Sequence, residues 1–376
     1  PSSGIRRFFD LLASMEGVIS LGVGQPDFVT PNHIRQAAIK SIEDGETYYT
    51  SNYGLVDLRV SIARHLKRLY GVEYNPGTEI IVTAGVSEAL NIALESIIDP
   101  GDEVLSPDPG YVAYLPCVLL AGGTYTQIPT RASDGFRLDP DQLEQRITPR
   151  TKALLMGYPA NPTGAVMSRE TMLEVARIVE KHNLFVISDE IYDRLVYGAE
   201  HVCFPSLPGM RERTILLGGF SKAYAMTGWR LAYTCARGEL TEAMMKVHQY
   251  VMMSAPTPAQ FAAMQALNHG EEDVRGMVGE YDRRRQLVVG ALNAMGLACP
   301  EPKGAFYAFP NIKGTGWKAK ALASSLLEDA GVAIIGGPDF GILGEGYVRL
   351  SYANSTENIL RALDRMGEFL SNRKAA

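Results

Sequence analysis

Through its middle the chain alternates short apolar runs with longer amphipathic segments, and this alternation restricts the fold more than any other feature. The runs are Ile80–Thr83, Glu103–Leu105, Thr124–Ile128, Ala153–Gly157, Phe185–Ser188, Thr214–Leu217 and Arg230–Thr234. Helical patterns fill several gaps between them, at Ser87–Ile98, Tyr111–Ala121 and Ser168–Lys181. In the last of these, Ser168 is a candidate N-cap, and Met172, Leu173, Val175, Ala176 and Val179 follow at helical spacing. Short strands alternating with helices predict an α/β fold built on a mostly parallel, seven-stranded sheet covered on both faces.

The C-terminal part reads differently. A long helix is expected over Glu272–Met295, after which Pro300 and Pro302 break the chain. Strands at Ala305–Phe309, Val332–Ile335 and Tyr347–Tyr352, with helices at Trp317–Ala330 and Thr356–Leu370, predict a second, smaller α+β unit.

Several function classes fall away. A net charge of −6 carries no basic nucleic-acid footprint. No apolar run approaches the ~18 residues of a membrane span. Pro1–Asp10 lack the apolar stretch of a signal peptide, and a start without Met points to a trimmed end. Cys117, Cys203, Cys235 and Cys299 lie far apart and read as reduced core thiols of an intracellular, cytoplasmic protein. The six histidines form no metal-binding pattern, so no metal is expected. Gly22-Val23-Gly24 does not continue into a dinucleotide fingerprint, and the chain has no Gly-Lys dipeptide of a phosphate-loop ATPase.

In an open parallel sheet, ligands bind beyond the carboxyl ends of the strands. Asn161 follows Ala153–Gly157, Asp189 follows Phe185–Ser188, and Lys222 follows Thr214–Leu217. Singly, each has a bland reading: a turn, a helix cap, a solvated amine. Together they match one chemistry. A lysine is the side chain that binds an aldehyde reversibly as a Schiff base. A carboxylate facing a ring nitrogen keeps it protonated, so that the ring can accept carbanion electrons. An amide and a phenol can hydrogen-bond a ring oxygen, and Tyr192 lies about one helical turn past Asp189. Arg349 sits inside the apolar run Tyr347–Tyr352, where a cation is costly unless it meets an anion. A buried ion pair is the structural alternative.

These residues resemble the class I/II aminotransferases of the aspartate aminotransferase fold, fold type I, over essentially the whole chain. The similarity is closest to the branch with aromatic and broad-range aspartate aminotransferases. Its most specific block is Ser221-Lys222-Ala223-Tyr224-Ala225-Met226-Thr227-Gly228-Trp229-Arg230. The resemblance implies pyridoxal 5′-phosphate as cofactor, carried on Lys222, with Ser221 and Arg230 at its phosphate. It implies Asp189 at the pyridine nitrogen, Asn161 and Tyr192 at the ring oxygen, and Tyr111 stacked on the ring. Gly85-Val86-Ser87 matches the turn that opens a helix beneath the phosphate, a natural anion site. Gly24 corresponds to the loop that lets backbone approach the substrate, and Arg349 to the clamp on its α-carboxylate. Tyr49 falls where the family sends a tyrosine to the partner subunit's phosphate, which implies a homodimer with shared active sites.

The expected division is an N-terminal segment (1–45) joining the small domain, a large cofactor-binding domain (46–275) and a small C-terminal domain (276–376). The implied reaction is ping-pong transfer of an amino group from an L-amino acid to a 2-oxo acid such as 2-oxoglutarate, with Lys222 moving the Cα proton. Some aspartate-specific relatives carry a lysine where this chain has Ser87. Aromatic or broad-range donors are therefore expected over strict aspartate use; Arg6 and Arg7 are other cations, in an N-terminal segment that the resemblance implies can close over the site. A carbon–sulfur lyase of the same fold uses the same residues and stays open as the alternative. A regulatory protein on this fold would need an appended DNA-binding module, for which no segment is spare.

Overall fold

The computed structural model describes residues 15 and 17–373. After a short strand, β1 (Ile19–Ser20), come seven strands of one sheet: β2 (Ile80–Thr83), β3 (Glu103–Asp108), β4 (Thr124–Pro129), β5 (Thr151–Gly157), β6 (Phe185–Asp189), β7 (Thr214–Gly219) and β8 (Ala232–Cys235). Their order is β2-β8-β7-β6-β5-β3-β4. Neighbours from β7 to β4 run parallel, and β8 runs antiparallel to β7 and β2. The central strands are apolar along most of their length because both faces are covered: all four residues of β2 and the middle of β5, β6 and β7 are buried.

The covering helices are α1 (Asn32–Glu43), α2 (Val56–Tyr70), α3 (Val86–Ile97), α4 (Tyr114–Leu120), α5 (Pro140–Glu144), α6 (Arg169–Lys181), α7 (Gly238–Val251) and α8 (Thr257–His269). Helix α6 begins as its sequence requires. Ser168 Oγ accepts the Thr171 N–H at 3.2 Å, and Met172, Val175, Ala176 and Val179 turn inward.

The remaining elements are α9 (Glu271–Ala294), β9 (Tyr307–Ala308), α10 (Ala319–Ala330), β10 (Val332–Ala333), β11 (Ile335–Gly336), β12 (Val348–Ser351) and α11 (Thr356–Arg373). Strands β11, β12 and β9 form an antiparallel sheet, and β1 pairs in parallel with β10.

Three local expectations need correction. The helix expected from Tyr111 begins at Tyr114. The Gly110 N–H is committed to Phe340 O across the molecule, so Tyr111 sits in the preceding turn. The strand expected from Arg230 begins at Ala232, because Arg230 holds a φ of 52°, outside the extended region. The run Val332–Ile335 is divided: its first two residues pair with β1, and Ile335 pairs with Arg349 of β12.

The topology positions the site. From β3 the chain moves outward to β4, then returns past β3 to β5. This reversal opens a crevice beyond the carboxyl ends of β3 and β5, where α/β proteins bind ligands.

Candidate active site

A cavity of about 360 Å³ fills that crevice, with Arg349 and Phe340 of the C-terminal part closing one side. Adjacent strands β5, β6 and β7 deliver Asn161, Asp189 and Lys222 to it. Gly24, Val86, Ser87, Tyr111, Tyr192, Ser221, Arg230 and Arg349 also line it. Gly85 stands just behind the lining, and Tyr49 does not line its own chain's cavity; it is 83% exposed.

Asp189, the last residue of β6, is buried. Its Oδ2 accepts the Tyr114 hydroxyl at 2.9 Å and its Oδ1 accepts the Ile191 N–H at 3.3 Å. Burial pushes the carboxyl up to about 6, and the Tyr114 hydrogen bond opposes the rise. Tyr114 reaches this carboxylate only because β5 ends in glycine: a Cβ on Gly157 would stand 2.2 Å from the Tyr114 hydroxyl oxygen.

Lys222 Nζ donates to the Gly24 carbonyl at 2.6 Å. Burial lowers its pKa to about 8, helped by the positive charges of Arg349 and Arg230; Asp189 pulls the other way. Near neutral pH the depression multiplies the fraction of free amine, the form that attacks a carbonyl or takes a proton. At Gly24, the side where a Cβ would stand faces the Tyr307 hydroxyl at 2.3 Å.

Arg349 is buried inside β12. Its Nη1 donates to Asn161 Oδ1 at 2.8 Å and its Nη2 to Gly22 O at 2.6 Å, while Nε has no partner among the described residues. Tyr307 and Phe340 sandwich the guanidinium at 4.4 and 4.6 Å from their ring centroids. Among the described residues it meets no carboxylate, so the ion-pair alternative is absent there. Burial lowers its pKa, the mark of a desolvated cation without an anion. With its oxygen taken by Arg349, the Asn161 amide keeps its N–H₂ for another acceptor.

At the opposite end, Gly85 caps α3 with φ +87°. A Cβ there would lie 2.5 Å from Arg230 Nη2, so the guanidinium rests directly over the helix start. The Val86 and Ser87 N–H groups have no hydrogen-bond partner among the described residues, as the geometry of a first helical turn dictates. Arg230 makes no ion pair among them either; its Nη1 donates to Thr227 O at 3.0 Å. Free N–H groups, a helix dipole and a cation together form a cradle for a phosphate.

The cavity thus offers an amine, a carboxylate, an amide, two separate anion sites and an aromatic ring at Tyr111. This donor set fits a phosphorylated pyridine aldehyde and an amino acid carboxylate, and no metal-binding cluster occurs among the described residues.

The family model for aminotransferase class I and II matches residues 16–366. The chain belongs to this family. It is 44% identical to an aspartate aminotransferase of Pyrococcus abyssi, over 99% of this chain and 96% of that one. It is 42% identical to aromatic-amino-acid aminotransferase 2 of Thermococcus litoralis, over 99% and 96%. The solved structure of an aromatic aminotransferase from Pyrococcus horikoshii superposes with a TM-score of 0.94 at 44% identity, covering 98% of this chain and all of that one. The aminotransferase assignment, fold type I and an enzyme of amino-group transfer, therefore stands on sequence and architecture together, and these relatives do not favour the carbon–sulfur lyase.

Some cavity residues of the aminotransferase were not legible in its sequence. Tyr114, Tyr307 and Phe340 look like ordinary core aromatics. Tyr307 is also the hydrogen-bond partner of the Tyr192 hydroxyl, at 2.7 Å, so that phenol is already engaged. Of the cysteines, Cys117 is only partly buried, unlike the other three. Arg6 and Arg7 lie outside the described residues.

Proposed function

We propose that the chain is a pyridoxal 5′-phosphate-dependent aminotransferase acting on aromatic or broad-range L-amino acids, with a 2-oxo acid such as 2-oxoglutarate as acceptor. The observation that carries this reading is Arg349: a buried guanidinium without a carboxylate partner among the described residues, opening onto the cavity that holds Lys222 and Asp189. A planar cation so placed suits two-point recognition of a substrate carboxylate.

When bound, the cofactor supplies an aldehyde for Lys222 and a ring that accepts carbanion electrons. The chain's residues would do the rest. Val86, Ser87, Ser221 and Arg230 hold the phosphate, with Gly85 giving Arg230 its room. Asp189 keeps the ring nitrogen protonated; an apposed cation draws its raised pKa back down. The Asn161 amide would donate to the ring oxygen, as would the Tyr192 hydroxyl with Tyr307 as the donor of their shared bond, and Tyr111 would stack on the ring. Gly24, Tyr111, Asn161 and Arg349 would border the amino acid, and the arginine would set the angle of its Cα–H bond. Lys222, with its depressed pKa, takes the Cα proton and returns it.

Among the described residues three cations line the cavity, Lys222, Arg230 and Arg349, and each has a role here. Val23, Val112 and Phe340 add apolar surface, which supports aromatic donors.

We assign residues 46–275 to a cofactor-binding domain and 276–376 to a small domain that the N-terminal segment joins. The pairing of Ile19–Ser20 with Val332–Ala333 supports this division. Exposed Tyr48, Tyr49 and Tyr250 support a homodimer in which Tyr49 reaches the partner's phosphate. Four unpaired cysteines support a cytoplasmic location, and no described helix is long and apolar enough to cross a membrane.

The test is purified protein assayed with a panel of amino donors and 2-oxoglutarate, with borohydride used to fix the chromophore. Formation of glutamate, fastest from aromatic donors, is expected. Release of ammonia without glutamate would refute amino-group transfer, and an adduct on a residue other than Lys222 would refute the assignment.

A further inference from the structure

The phosphate cradle is braced from behind by a pair that no cofactor contact explains. Glu88 is the third residue of α3. An acid in a first helical turn is ordinarily exposed and interacts with the helix dipole. Glu88 is instead half-buried, with only 9% of its side chain exposed. In a capping box, such a glutamate reaches back to the N–H of the cap residue. Here the Gly85 N–H goes to Thr83 O at 2.9 Å, and Glu88 Oε2 reaches one residue further, to the Ala84 N–H. The carboxylate therefore ties strand β2 to the first turn of α3 across the segment that carries the free Val86 and Ser87 N–H groups.

The other oxygen, Oε1, meets His248 Nδ1 at 2.5 Å. His248 lies in the last turn of α7 and is fully buried; its Nε2 has no hydrogen-bond partner among the described residues. Around it, α3 and α7 meet through residues such as Leu90, Ala93, Leu240 and Met244, which need no polar partner. A carboxylate and an imidazole in that setting cost desolvation that apolar residues would avoid. Their effect is to fix direction: Glu88 holds the turn, and His248 holds Glu88.

We propose that Glu88 and His248 are positioning residues that set the 84–87 turn for the cofactor phosphate. This rests on the pyridoxal phosphate reading above. Apoprotein is titrated with pyridoxal 5′-phosphate and, separately, with pyridoxal, which has the same ring and aldehyde but no phosphate. Wild-type protein that takes up neither would overturn the cofactor reading itself.

With that reading standing, Glu88→Ala and His248→Leu are expected to weaken pyridoxal 5′-phosphate binding by about tenfold (~1.4 kcal/mol). Pyridoxal binding should stay within about twofold of wild type, since Lys222 and Asp189 are untouched. His248→Asn, whose amide can donate near the place of Nδ1, should restore phosphate-dependent affinity. Equal losses for both ligands would mean that the pair supports the fold at large, and unchanged affinity would mean that the turn stands without it; either overturns the proposal. Should Glu88→Ala fail to fold, the comparison of His248→Leu with His248→Asn decides alone.

Discussion

Arg349→Met separates recognition from structure at the most costly residue in the cavity. The guanidinium is buried, with two hydrogen bonds to neutral oxygens, two flanking rings and an unpartnered Nε. Desolvating an ion without a counter-ion costs several kcal/mol. The two hydrogen bonds return ~1.5–3 kcal/mol each, and a desolvated ring contact returns ~2 kcal/mol. These contributions are of similar size and opposite sign. Methionine removes the desolvation cost but leaves Asn161 Oδ1 and Gly22 O without their donor, at ~1–3 kcal/mol each. Together these orphans cost ~2–6 kcal/mol, less the ~1.5–3 kcal/mol that a buried methionine side chain returns. A substrate carboxylate, by contrast, loses its charged partner, at ~2–5 kcal/mol. That loss corresponds to about 30-fold to several-thousand-fold in kcat/KM. The assays are kcat/KM for the preferred donor, thermal unfolding, and the visible spectrum of the holoenzyme, which should persist. A non-reactive carboxylate should raise Tm for the wild type and not for the variant. If kcat/KM stays within threefold while stability collapses, Arg349 is a structural cation and the carboxylate site lies elsewhere.

Other perturbations test neighbouring links. Tyr114→Phe removes the donor that holds Asp189 down from a still higher pKa; turnover should fall more at pH 6 than at pH 8, and an equal fall at both would contradict the role given to that bond. Capture of pyridoxal 5′-phosphate by apoprotein requires the neutral Lys222 amine, so its rate should rise with pH and level off above about 8; a rate still climbing at pH 10 would show an amine that the cavity does not depress. Between about 8 and the ordinary lysine value the unfolded chain binds more protons at this residue than the folded one, so Lys222 should make apoprotein stability rise with pH there. Lys222→Ala should lose both the borohydride-fixed adduct and nearly all transamination. Mixing Lys222→Ala with Tyr49→Ala subunits under limiting cofactor should recover activity that neither variant shows alone, and no recovery after subunit exchange would refute a shared site.

What could be read from the sequence was what local physics decides. Strands covered on both faces must be apolar on both, so β2, β5, β6 and β7 were visible as short runs, and the chemistry past the ends of β5, β6 and β7 came with them. Ser168 marked its helix because capping is a local bond. The misplaced boundaries have long-range causes. Phe340, far along the chain, takes the Gly110 N–H and delays α4; the positive φ of Arg230, beneath which Gly85 must lack a Cβ, delays β8. Tyr307 and Phe340 were invisible for the same reason. Nothing in their own neighbourhoods distinguishes a ring that flanks a guanidinium from one that fills a core. Glycine is the one local trace of such contacts: Gly157 is bare because Tyr114 needs the space.

Charge balance argues most directly about the substrate. The chain carries a net charge of −6, yet among the described residues its cavity is lined by Lys222, Arg230 and Arg349 against Asp189 alone. Phosphate at Arg230, a protonated ring nitrogen at Asp189 and an α-carboxylate at Arg349 would give every fixed charge an opposite, with Lys222 free to cycle between neutral and protonated. A second substrate carboxylate meets no further cation among the described residues, so a dicarboxylic donor, and equally a dicarboxylic acceptor such as 2-oxoglutarate, carries a desolvation cost of several kcal/mol that a monocarboxylic one does not. Phenylalanine or tyrosine should therefore outpace aspartate as donor. Aspartate outpacing both would mean that a cation from outside the described residues, Arg6 or Arg7 first among them, enters the site.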